Sequence, residues 1–131
     1  MRTPHDIKRV AVLGAGLMGH GIALELAAHR RLVCLHDVSE QLLDKAIAHA
    51  RVGLKALHQA GLISFDEIEA SISRISTSLD LSETVEGTDL VIEAVSENLE
   101  LKHSLFDKVD RIAPAHAVLV SNTSTFLPSA L

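Results

Sequence analysis

The spacing G-x-G-x-x-G, formed by Gly14-Ala15-Gly16-Leu17-Met18-Gly19, constrains this chain more than any other feature. It stands between a short apolar run, Val10 to Leu13, and a stretch from Leu17 to His29 rich in leucine, alanine and isoleucine. The run reads as a parallel strand covered on both faces, the stretch as a helix. A second apolar run, Leu32 to Leu35, reads as the next strand, giving a β-α-β unit that begins at Arg9. In that setting each glycine has a physical task. Gly14 permits a sharp turn, Gly16 lets a ligand approach the backbone with no side chain between, and Gly19 lets the helix pack closely on the strand. The helix start at Leu17 and Met18 then offers free N–H groups and a partial positive charge, which suit a pyrophosphate.

Asp37 ends the second strand 18 positions after Gly19. An acidic side chain there can accept hydrogen bonds from the adenosine ribose and would repel the extra phosphate of NADP, so the pattern predicts NAD on a Rossmann-type unit. The alternative is a structural aspartate capping the helix that follows Ser39. Arg30 and Arg31 precede the strand, at the opposite edge of the sheet, where solvation suffices. A flavoprotein or a methyltransferase could also carry a glycine-rich first turn. The three-glycine spacing disfavours the second, and nothing else along the chain supports the first.

The strand and helix signals continue to the end. Ser39 predicts the N-cap of a long helix that Gly61 stops, and Ser64 with Glu67 has capping-box spacing for a shorter helix from Phe65 to about Ser73. Together these form a helical hairpin inserted after the second strand. Ile75 to Ser78 reads as a short strand, Leu81 to Glu86 as a small helix, and Leu90 to Ala94 as a buried strand. Leu101, Leu105, Val109 and Ile112 recur at helical spacing up to Pro114, Val118 to Val120 forms a further strand, and Pro128 begins another helix. The alternation predicts one doubly wound α/β domain, 1–131, with a mostly parallel sheet.

Composition removes several function classes. A net charge of -5 and 2% aromatic residues give no basis for nucleic-acid binding. No apolar run approaches the roughly 20 residues that cross a bilayer. Met1 to Lys8 does not read as a signal peptide, and the single cysteine, Cys34, sits in an apolar run as a buried small residue. These features predict a cytoplasmic protein. The eight histidines show no ligand spacing, so no metal is expected.

Two later strands end in polar residues, as strands do that meet a ligand at the carboxyl edge of a parallel sheet: Leu90 to Asn98 and Val118 to Ser124. The strings VLGAGLMGHGIA from Val12, VIEAVSENLELK from Val91 and SNTS from Ser121, in this order, closely resemble the NAD-binding domain of the L-3-hydroxyacyl-CoA dehydrogenases. The resemblance covers nearly the whole chain. It implies oxidation of a 3-hydroxyacyl-CoA to the 3-ketoacyl-CoA with hydride transfer to NAD, in fatty acid metabolism. It assigns Asp37 to the adenosine ribose, Glu97 and Lys102 to the nicotinamide half of NAD, and Ser124 to the reacting oxygen and the nicotinamide amide, with Asn122 lining the same pocket. A hydroxyl such as Ser124 can stabilise an oxygen whose charge changes, although it cannot serve alone as the base. Read without the resemblance, Lys102 suits a solvated helix lysine, Glu97 a helix cap, and Asn122 with Ser124 a turn.

The family's general base is a histidine oriented by a glutamate, and both follow the SNTS segment, beyond Leu131. None of His5, His20, His29, His36, His49, His58, His103 and His116 occupies that position. His20, next to Gly19, is at most a helper in pyrophosphate binding. The chain therefore reads as a truncated piece, inactive alone, of a homodimeric enzyme with a helical dimerisation domain. The family contacts CoA partly through a serine and a lysine in the hairpin, where Gly53 and Ala60 stand here, with Arg51 or Lys55 as substitute phosphate partners. A dehydrogenase of free hydroxy acids, resembling L-gulonate 3-dehydrogenase, and a non-catalytic nucleotide-binding module are the alternatives.

Overall fold

A computed structural model describes residues 3–131. The reading of the Met1 to Lys8 segment extends to residues 1 and 2, which lie outside the described residues. Five strands, β1 (Arg9–Leu13), β2 (Leu32–His36), β3 (Ile75–Ser78), β4 (Leu90–Glu93) and β5 (Val118–Ser121), form one sheet in the order β3-β2-β1-β4-β5. All four pairings are parallel, as the crossover helices require. Those helices are α1 (Leu17–Ala28), α2 (Glu40–Gln59), α3 (Phe65–Ser73), α4 (Leu81–Val85) and α5 (Leu99–Ile112). Short 3-10 turns at Pro4–Asp6 and Pro128–Ala130 flank them; the second replaces the α-helix expected from Pro128.

The period-2 geometry of β1 divides the core. Val10 and Val12 pack with Ala23, Ala27, Val33, Leu35, Leu43 and Ala46 on the face covered by α1 and α2. Ala11 and Leu13 pack with Val85, Val91 and Val109 on the opposite face, under α4 and α5. Both faces of the central strands are thus dry, which is why β1 reads as an unbroken apolar run. Asp89 fixes the amino end of the sheet, its Oδ2 accepting from the backbone N–H groups of Lys8 and Arg9 at 3.0 Å each.

The hairpin of α2 and α3 forms as expected, and Ser39 Oγ caps α2 by accepting from Leu42 N at 3.3 Å. Ser64 stands at the N-cap of α3, yet its side chain makes no capping bond. Glu67 turns instead toward Arg74, 3.6 Å away, because a charged partner is available across the fold. Cys34 is half-buried on β2 rather than fully enclosed.

Candidate functional site

The glycine turn has the geometry its spacing predicts. Gly14 adopts φ 106°, and a Cβ there would lie 2.6 Å from the carbonyl oxygen of Ala94 at the end of β4. Gly19 presses α1 against the turn so closely that a Cβ would stand 1.7 Å from the Gly14 oxygen. Gly16 differs: no atom lies within 4 Å of a Cβ built on it. The protein's own packing therefore gives no reason for glycine at position 16, whereas a ligand resting on this backbone does. Gly16 is the N-cap of α1, with no side chain capping the helix. The first N–H groups, at Leu17 and Met18 among others, remain open to an anion, and Leu17 and Met18 point their side chains to the surface.

Asp37 lies at the carboxyl end of β2, facing this turn. Its Oδ2 accepts from Ala15 N at 3.0 Å, and its Oδ1 from Val38 N at 2.7 Å and Ser39 N at 3.3 Å. Three backbone donors lock the carboxylate in orientation while it stays half-buried at the wall of a groove of about 350 Å³. Gly14, Gly16, His36, Val38 and Leu42 line one side of that groove, and Ala94, Val95, Ser96, Leu101 and Leu105 the other. It opens between β1 and β4, where the strand order reverses, the place at which parallel α/β sheets bind nucleotides. An apolar slot beside an oriented carboxylate and an uncapped helix start fits the adenosine and pyrophosphate of NAD.

Lys102 and Glu97 meet at the other half of the edge. Lys102 has no exposed surface, which excludes a solvated helix lysine. Its ammonium stands 2.8 and 2.7 Å from the two oxygens of Glu93 and 3.3 Å from Glu97 Oε1. Glu97 is not the helix cap; Asn98 is, accepting from Leu101 N at 3.0 Å. Glu97 Oε2 instead accepts from Thr123 Oγ1 at 2.8 Å. That hydroxyl first, and then Lys102, hold the Glu97 carboxyl below the usual glutamate range, against an opposing effect of desolvation. Thr123 Oγ1 also accepts from the backbone N–H groups of Thr125 and Phe126, so Thr123 builds the turn expected of Asn122 and Ser124. Asn122 and Ser124 are exposed on this loop, beyond the groove lining, and Asn122 N donates to Glu93 O at 2.8 Å.

Glu93 is the residue that sequence reasoning missed. It closes an apolar strand, LVIE, and in the sequence it blends into that run. The available signal was a charge inside a strand covered on both faces, with a lysine nine residues later on the helix packed over it. His20 Nδ1 donates to Gly16 O at 2.9 Å, and its ring lies tilted by 50° with its centre 5.1 Å from that of His49. Arg51 is engaged by Glu69 at 3.0 Å, and a Cβ on Gly53 would meet Leu24 Cδ2 at 2.7 Å. Among the described residues no group of three or more His, Cys, Asp and Glu gathers as a metal site, and no helix is long and apolar enough to cross a membrane.

Comparison with known proteins agrees with this geometry. The family profile "3-hydroxyacyl-CoA dehydrogenase, NAD binding domain" matches residues 9–131. The mitochondrial hydroxyacyl-coenzyme A dehydrogenase of Rattus norvegicus is 41% identical over 124 residues, covering 91% of this chain and 40% of that protein. The peroxisomal fatty acid beta-oxidation multifunctional protein MFP2 of Arabidopsis thaliana is 39% identical over 122 residues, covering 93% of this chain and 17% of its own length. The crystal structure of 3-hydroxybutyryl-CoA dehydrogenase from Escherichia coli K12 superposes with a TM-score of 0.89 at 34% identity, over 95% of this chain and 26% of that one. The chain thus spans well under half the length of each of these relatives. The mitochondrial and peroxisomal relatives overturn the expectation of a cytoplasmic protein, since a reduced cysteine does not identify a compartment. By profile and fold alike, the chain belongs to the NAD-binding domain family of the 3-hydroxyacyl-CoA dehydrogenases.

Proposed function

We propose that this chain is the cofactor-holding part of an enzyme that oxidises a 3-hydroxyacyl-CoA to the 3-ketoacyl-CoA, with a helical dimerisation domain and the catalytic histidine and glutamate supplied outside residues 1–131. The observation that carries this reading is the conjunction of an unobstructed Gly16 with the locked Asp37 carboxylate across one groove. Gly14, Gly16, Leu17, Met18 and Gly19 hold the pyrophosphate, and Asp37 accepts from the adenosine ribose. Bound NAD supplies the hydride acceptor. Glu97 and Lys102 border its nicotinamide half. Ser124, exposed after β5, donates to the substrate oxygen as its charge changes, and Asn122 lines the same pocket. The whole enzyme acts as a homodimer on an acyl-CoA, and the isolated chain has no turnover.

One observation favours a second reading, a dehydrogenase of free hydroxy acids. Arg51 is already paired with Glu69, and Gly53 serves close packing on Leu24 of α1, so those two positions present no free phosphate partner. Assaying the whole enzyme that carries this domain separates the two. NADH consumption with acetoacetyl-CoA is the expected result; oxidation of a free hydroxy acid without any reaction of acetoacetyl-CoA overturns the first reading. NADH production by residues 1–131 alone overturns the division of labour.

A further inference from the structure

Glu93 and Lys102 are both fully buried, and a buried ion pair in a core seldom stabilises a fold more than apolar side chains of the same size would. Its position is informative. Glu93 ends β4 at the carboxyl edge of the sheet, in register with Leu13 on β1 and Ser121 on β5. Its Oε1 accepts from Ser121 Oγ at 2.5 Å and its Oε2 from Val95 N at 2.7 Å, besides both contacts from Lys102. The chain of contacts runs on from Lys102 to Glu97, from Glu97 to Thr123, and from Thr123 to the N–H groups of Thr125 and Phe126. One buried carboxylate thus ties together the end of β4, the first turn of α5 and the loop after β5.

Asp37 fixes the adenosine end of a bound dinucleotide over β2. The other half must then cross the strand-order reversal and lie over the ends of β4 and β5. We propose that Glu93 is a positioning residue for the nicotinamide half of the cofactor, acting through Lys102 and Ser121 on the loops that border it. This rests on the NAD reading above. Glu93 is buried beneath the surface that would meet the ligand, so its effect is to hold the neighbouring groups in place.

The test compares two ligands on the purified chain: NADH, which has both halves, and ADP-ribose, which lacks nicotinamide. In Glu93→Gln the expected result is about tenfold weaker NADH binding and a lost emission gain of bound NADH, with ADP-ribose affinity held within twofold. Ser121→Ala should behave likewise, and Ser121→Thr, which keeps the donor, should restore the unmodified values. If Glu93→Gln does not fold, the Ser121→Ala and Ser121→Thr pair, which leaves the Glu93–Lys102 ion pair intact, carries the same comparison. NADH binding unchanged, or NADH and ADP-ribose weakened in parallel, overturns the positioning role. An unmodified chain that binds neither ligand overturns the NAD reading and this proposal with it, a result distinct from both.

Discussion

Replacing Gly16 with alanine separates folding from cofactor binding in a way the other two motif glycines do not allow. At Gly16 the backbone has φ -73° and ψ -163°, open to any L-residue, and a Cβ meets no atom within 4 Å. Alanine is a poorer N-cap than glycine by about 0.5–1 kcal/mol. Loss of glycine's freedom in the unfolded chain returns about 0.4–1 kcal/mol. The two nearly cancel, so the melting temperature should move by no more than about 4 °C. The methyl group would nevertheless occupy the space through which a pyrophosphate reaches the backbone N–H groups. Hydrogen bonds to a charged partner contribute about 1.5–3 kcal/mol, so their loss weakens binding about 10- to 150-fold. Thermal unfolding and calorimetric titration with NAD read the two effects separately. Gly19→Ala, whose Cβ would lie 1.7 Å from the Gly14 oxygen, should fail in both. A Gly16→Ala protein that binds NAD as the unmodified chain does would mean that no pyrophosphate rests on the backbone at position 16.

Asp37→Asn removes the charge and keeps one acceptor oxygen, for Val38 N and Ser39 N, but sets its NH2 group against Ala15 N; it should narrow the preference for NAD over NADP and destabilise by about 1–3 kcal/mol, which competition titrations and thermal unfolding check. Lys102→Met leaves Glu93 buried without its cation and should destabilise by about 3–5 kcal/mol in denaturant unfolding, most of which Glu93→Gln in the same protein recovers. The Glu97 carboxyl is held below its unfolded value of about 4.3 by Thr123 and Lys102. Its stabilising contribution is therefore complete above that pH and lost as pH falls through the lower folded value. Stability and NADH binding should both be insensitive to Glu97→Gln-type neutralisation by acid between pH 7 and about 5, and a Glu97-dependent loss inside that window contradicts the assignment.

The elements, and the geometry of the glycine turn and of Asp37 beside it, were legible because they rest on local rules. Apolar runs of parallel strands, the Ser39 cap and the three glycines each act within a few residues of themselves, and Asp37 lies next to the strand it closes. What escaped depends on contacts between distant segments. Glu93 acquires its role only when β4, α5 and β5 bring Lys102 and Ser121 to it, and Thr123 only when Glu97 comes within 2.8 Å. Glu67 shows the same limit from the other side: its capping-box spacing was genuine, but Arg74 competes for it in the folded chain. The strand ending expected at Ala94 falls at Glu93: Ala94 N still donates to Leu13 O at 2.8 Å, but the N–H after it, that of Val95, turns back to the Glu93 side chain at 2.7 Å.

Residues 9–131 are expected to form a site for NAD in which Asp37 discriminates against the 2′-phosphate. Calorimetric titration of the unmodified chain with NAD and with NADP tests it directly. Saturable binding of NAD at one site is expected, with NADP bound at least tenfold more weakly. Equal or tighter binding of NADP, or no binding of NAD at all, would contradict it.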